Sequence, residues 1–253
     1  MSYKITRYPD GQINLKIDLE SNTSLYTIRV ASYEDLFILK SLSDAHYNYY
    51  GYYPSVKIPC LFGQLSDRRF DIKESFDLKN ICEFINSCNF ISVGVLDPHS
   101  DVSGALINRF YKIEPNNHIY NAITDIIGNE ERSQVTLVSP DAGAYKKVFK
   151  LAEEWNHELV AANKFRDREG QVTLNILGDV KGKNCLIVDD QLIGGYTFVK
   201  LAEKLREQGA NRVFLYVSHG YFFKGFDLGL DHIYCTNSVK DIEDSTVTQF
   251  KVV

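Results

Sequence analysis

The chain has 253 residues, 44% of them hydrophobic and 24% charged, with a net charge of −5 at neutral pH. That size and balance fit one large globular domain or two small ones and exclude a low-complexity or disordered chain. Net negative charge excludes a general nucleic-acid binder, no apolar run reaches membrane-spanning length, and the opening MSYKITRYPD lacks a signal-peptide core; a cytoplasmic protein with no nucleic-acid and no membrane partner is expected.

Taken in chain order, short apolar runs predict strands at 14–18, 26–30, 56–62, 90–96, 134–139, 159–162, 173–177, 185–188 and 213–218. Helical spacing appears between several of them. Segment 141–156 sets Val148, Leu151, Ala152 and Trp155 on one face, and Val199, Ala202 and Leu205 share a face in a segment that stops at Gly209. Strand–helix alternation of this kind predicts an α/β protein with largely parallel sheets. The turn-rich break Glu114-Pro115-Asn116-Asn117 divides the chain into parts 1–116 and 117–253. Cys60, Cys82, Cys88, Cys185 and Cys235 are odd in number and form no CxxC pair, so buried reduced thiols are expected, with neither a disulfide framework nor a zinc site.

Ligands of open α/β sheets bind beyond the carboxyl ends of the strands. Four predicted strand ends carry polar groups: Asp97 and His99; Pro140 and Asp141; Lys164, Arg166 and Asp167; and Asp189 and Asp190 ahead of Gly194-Gly195-Tyr196-Thr197. The glycine pair opens a helix, where backbone N–H groups and the positive helix end suit a phosphate. The two acids ahead of it suit sugar hydroxyls, so the combination points to a sugar phosphate. On the residues alone His99 suits a structural role as well as a metal site, since Mg²⁺ prefers oxygen. Lys164 and Arg166 likewise suit a solvated basic loop as well as the neutralisation of polyphosphate charge.

Seven segments in order resemble the ribose-phosphate pyrophosphokinase, or PRPP synthetase, family: RYPDGQINLKI, IPCLFGQLSDRR, VLDPH, LVSPDAGAYKKVFKLAE, NKFRD, NILGDVKGKNCLIVDD and GANRVFLYVSHGYF. The resemblance implies two phosphoribosyltransferase-type domains, each a mainly parallel sheet flanked by helices. It also implies a Mg²⁺-dependent transfer of the β,γ-diphosphoryl group of ATP to the 1-hydroxyl of ribose 5-phosphate, with release of AMP. Carried over by position, His99 and Asp141 would hold Mg²⁺ on the ATP phosphates, and Lys164 and Arg166 would be catalytic. Asp189 and Asp190 would orient the ribose, with Gly194, Gly195, Tyr196 and Thr197 around the 5-phosphate. Tyr8, Asp10, Gln12, Asp67, Arg68 and His99 would bind ATP, the first three across the interface of a homodimer or larger homo-oligomer.

The chain departs from the family's pattern in the sugar-phosphate loop. Where the family reads DDxxDTGGT, this sequence reads DDQLIGGYT, so Ile193 replaces an acid, Gly194 a threonine and Tyr196 a glycine. A cradle with fewer polar groups and an added ring favours an acceptor whose 5-phosphate continues into a larger group. ADP-ribose fits that description, and phage NAD-salvage enzymes that pyrophosphorylate it are similar to PRPP synthetases. Gln12 stands for a family Glu, and Leu65-Ser66 replaces Arg-Gln ahead of Asp67-Arg68. The alternatives are an ordinary PRPP synthetase acting on ribose 5-phosphate and a non-catalytic regulatory subunit. A phosphoribosyltransferase that consumes PRPP would not need VLDPH, SPDAG and NKFRD.

Overall fold

The computed structural model describes residues 3–18, 23–128, 135–166 and 172–253; between 164 and 173 only the strand backbone is described. The chain forms two compact units, Met1–Glu114 with Val253, and Pro115–Val252.

The first unit begins with an antiparallel hairpin, β1 (Tyr3–Arg7) and β2 (Ile13–Ile17). β3 (Leu25–Thr27) then leads into α1 (Tyr33–Tyr50), β4 (Ser55–Ile58), α2 (Asp77–Ser87), β5 (Val93–Leu96), α3 (Val102–Leu106) and β6 (Phe110–Ile113). Strands β3-β4-β5-β6 form a four-stranded sheet whose pairs are all parallel. Ser32 caps α1 by accepting the Asp35 N–H, and Gly51 ends it in the left-handed region at φ 78°. The core joins Leu36, Leu39 and Leu42 of α1 to Val56, Ile58 and Val93 of the strands and Ile81 and Ile85 of α2.

The second unit runs α4 (Asn116–Ile127), β7 (Val135–Ser139), α5 (Ala142–Trp155), β8 (Leu159–Arg166), β9 (Val172–Leu177), β10 (Asn184–Leu192), α6 (Tyr196–Glu207), β11 (Arg212–Gly220), β12 (His232–Thr236) and β13 (Val247–Phe250). Its sheet has the order β13-β12-β11-β10-β7-β8-β9, parallel except for the β8–β9 pair. The fully apolar run Cys185–Val188 sits at the middle of this sheet because both faces are covered. Cys185 and Ile187 pack with α6, while Leu186 and Val188 pack with α4 and α5. The α/β class and the largely parallel sheets are therefore as the sequence implied.

All nine predicted strands form, with shifted ends, and among the described residues four more appear that the apolar pattern did not mark: β1, β6, β12 and β13. Of these, β1, β6 and β13 have no buried residue, which is why no apolar run announces them. Among the described residues no helix is long and apolar enough to cross a membrane.

Candidate functional site

The two acids do not mark the end of their strand, as the sequence implied. β10 continues through Asp189 and Asp190 to Leu192, pairing with β11 as far as Leu192↔Gly220. Its pairing with β7 stops at Ile187↔Val138. The acids thus lie where β10 outruns one neighbour, and one side of the strand is left open there. Both are half-buried. Asp189 is held well above the ordinary carboxylate range, first by burial, then by the charge of Asp190, with Asp141 adding to the same field. A half-buried pair of adjacent acids repels itself and gains from a ligand that donates hydrogen bonds or carries a cation.

Beyond Leu192 the chain turns through Gly194 and Gly195. Gly195 is the N-cap of α6 at φ 80°, and no side chain caps that helix. A side chain at 195 would also meet Leu228 Cδ2 at 2.6 Å, whereas one at Gly194 would enter open space. Gly195 is therefore fixed by backbone sterics, and Gly194 leaves room above the turn. The uncapped start of α6 presents backbone N–H groups and the positive helix end there. Tyr221 and Phe223 donate their N–H groups to the Leu192 and Ile193 carbonyls at 2.8 and 3.0 Å, which fixes the loop from the other side. Tyr196 stands at the head of α6 and is 73% exposed, while Thr197 is half-buried.

Asp141 is the N-cap of α5. Its Oδ1 accepts the N–H groups of Gly143 and Ala144 at 2.8 and 3.0 Å, and the residue is exposed. Within the described residues no hydrogen bond engages its Oδ2, so one oxygen can reach a cation carried by a phosphate. A cavity of about 440 Å³ opens beside it, lined by Ala142, Tyr145, Leu159, Asn163 and Leu177 among others. Among the described residues no group of three or more His, Cys, Asp or Glu side chains is arranged to hold a metal ion. The donor set nonetheless fits Mg²⁺, which keeps most of its waters and phosphate oxygens and takes only one or two carboxylates from a protein. Lys164 and Arg166 lie on β8, but their side chains are outside the described residues; Asp167 is outside them altogether.

In the first unit Tyr8, Asp10 and Gln12 come together on the β1–β2 turn. Tyr8 N–H donates to the Gln12 carbonyl at 2.8 Å, and Gln12 N–H donates to Asp10 Oδ1 at 3.0 Å. All three are exposed. Asp67 behaves differently: it is buried and paired with Arg68 at 2.8 Å. The Arg68 guanidinium holds its carboxyl below the usual range, against the opposing effect of burial. Arg68 is the member of the pair that reaches solvent. His99 is exposed and follows β5, and its backbone N–H donates to Gln64 Oε1 at 3.1 Å. Gln64 itself is only 3% exposed. Sequence reasoning did not single out this amide, whose only signal is a polar residue between the apolar Leu61, Phe62 and Leu65.

The sequence profile of the phosphoribosyl transferase domain family matches residues 112–252. The chain belongs to that family. In sequence it is similar to several ribose-phosphate pyrophosphokinases. That of Bradyrhizobium diazoefficiens is 33% identical over 129 residues, covering 49% of this chain and 40% of the relative. That of Mycoplasma pneumoniae is 30% identical over 172 residues, covering 64% and 52%. Ribose-phosphate pyrophosphokinase 2 of Saccharomyces cerevisiae is 32% identical over 162 residues, covering 60% and 51%. The matches thus take in about two fifths to one half of those proteins. In fold, the chain is similar to phosphoribosylpyrophosphate synthetase from Mycobacterium smegmatis, with a TM-score of 0.79 at 18% identity over 99% of this chain and 86% of that one.

Proposed function

We propose that this protein is a Mg²⁺-dependent diphosphotransferase that moves the β,γ-diphosphoryl group of ATP to the 1-hydroxyl of a ribose 5-phosphate moiety and releases AMP. The observation that carries the reading is the half-buried pair Asp189 and Asp190 beside the uncapped, glycine-opened start of α6. Acids accept from the ribose hydroxyls, and the helix start takes the 5-phosphate. In the reaction the 1-oxygen forms a bond to Pβ as the bond from Pβ to the α–β bridging oxygen breaks; that oxygen leaves with AMP, and the hydroxyl proton passes to solvent. Such a transfer depends on positioning and charge neutralisation more than on a covalent nucleophile.

Each residue has a part in that chemistry. Lys164 and Arg166 neutralise the phosphoryl group under attack. Asp141 would hold Mg²⁺, which when bound would offset the charge of the ATP phosphates; His99 is given a metal and ATP role by resemblance. Arg68, braced by Asp67, joins the ATP site, and Tyr8, Asp10 and Gln12 contact the adenine of a neighbouring copy in a homodimer or larger assembly. The setting is the cytoplasm.

The acceptor we favour is ADP-ribose, giving ADP-ribose 1-pyrophosphate for NAD salvage, as in a phage-type enzyme. Ile193 and Gly194 remove polar groups from the cradle, and Tyr196 adds an exposed ring. Ribose 5-phosphate is the second reading, favoured by the names of the relatives. Incubation with ATP, Mg²⁺ and either acceptor, read by AMP release and product mass, separates them. AMP with ribose 5-phosphate alone removes ADP-ribose, and AMP with neither removes the enzyme reading in favour of a regulatory subunit.

A further inference from the structure

Two aromatic rings beside the loop have no task in that chemistry. The segment after β11 is tied to the loop through alternate residues, Tyr221 to Leu192 and Phe223 to Ile193. The rings of Tyr221 and Phe223 are stacked, with centroids 5.7 Å apart and planes 22° apart. Phe223 is 74% exposed, one of the most exposed large apolar side chains among the described residues. Between the two, Phe222 goes the other way. Its ring is 5% exposed and packs on Phe226 at 4.8 Å, and its backbone sits in the left-handed region at φ 52°.

A bulky residue adopts that backbone only when its surroundings impose it, and such strain gathers at binding sites. Burying Phe222 anchors the turn and leaves the exposed Phe223 ring stacked on the half-buried ring of Tyr221. A stacked, hydrogen-bond-anchored pair loses little freedom when a third ring joins it. Phe223 is one hydrogen bond from Ile193, the residue before the glycine pair, so the platform borders the proposed phosphate seat.

We propose that Tyr221 and Phe223 form a stacking platform for a planar ring carried beyond the acceptor's 5-phosphate, the distal nucleoside of a dinucleotide-like acceptor. This rests on the larger-acceptor reading above and assigns specificity to residues outside the glycine loop. Stacking of one base on an aromatic side chain is worth roughly a 5- to 100-fold change in affinity.

The test is calorimetric titration of the full chain with ADP-ribose and, separately, with ribose 5-phosphate, for the parent protein, Phe223→Ala and Phe223→Trp. The ratio of ADP-ribose to ribose 5-phosphate affinity should fall roughly 5- to 100-fold in Phe223→Ala and be kept in Phe223→Trp. An unchanged ratio in Phe223→Ala overturns the platform while leaving the larger-acceptor reading intact. A parent protein that binds ribose 5-phosphate but not ADP-ribose overturns both.

Discussion

Asp189 accepts a hydrogen bond of 2.9 Å from the backbone N–H of Asp190, so the first acid of the pair is steadied by the backbone of the second. That bond favours the charged form, yet burial and the Asp190 charge outweigh it and hold Asp189 well above its ordinary range. The folded chain therefore binds this proton more tightly than the unfolded chain does. Stability from this group is present below the unfolded value, about pH 4, and is lost as pH rises toward the folded value. Asp189→Asn removes the penalty. Its melting temperature, measured without divalent cations, should gain on the parent as pH rises from about 4 to neutrality, while affinity for the ribose acceptor falls. A constant gap in melting temperature across that range would show that Asp189 does not titrate differently on folding.

The glycine pair separates a folding constraint from a binding one. Gly195→Ala meets a left-handed backbone, at about 1–2 kcal/mol, and must displace Leu228. A loss of roughly 2–8 °C in melting temperature is expected for a chain of this size. Gly194→Ala enters open space and should change stability by no more than about 0.5 kcal/mol. Its methyl group would instead occupy the proposed phosphate seat and raise the KM for the acceptor. An unaltered KM in Gly194→Ala would move the phosphate away from this turn.

The central strands were legible because burial on both faces writes itself as an apolar run, as in Cys185–Val188. α1 was not, because its buried stripe includes Ser43 and His46 while Tyr33, Phe37 and Tyr47 are exposed, which blurs the helical period. The glycine loop and its acids could be read from residue types and order. The platform could not: Phe223 matters only through its exposure and its hydrogen bond to Ile193, which are properties of the turn. Gln64 was missed for the same reason, since its partner lies 35 residues away.

Thiol chemistry gives a check on the core that is independent of activity. Cys60, Cys82, Cys88, Cys185 and Cys235 are all buried, and none is in a disulfide. Burial pushes the Cys82 and Cys235 thiols up to about 12, and those of Cys88 and Cys185 to about 11. Only thiolate attacks a disulfide reagent. Native protein at about pH 8, below the free-thiol value, should release little thiol, and guanidinium should release five equivalents. Rapid reaction of one or more thiols in the native protein would mean that the core around it opens.

Gln64 is expected to act on ATP through His99. The amide is buried and holds the His99 N–H at 3.1 Å. Losing a buried hydrogen-bond partner costs about 1–3 kcal/mol, and here the loop carrying His99 absorbs the loss. Gln64→Leu should raise the KM for ATP more than it lowers kcat, and hydrogen exchange at the His99 amide should quicken. His99→Ala should raise the KM as well. The double variant should be no worse than the poorer single one, since coupled residues are not additive. Additive effects in that cycle, with unchanged exchange at His99, would reduce Gln64 to a packing residue of the first unit.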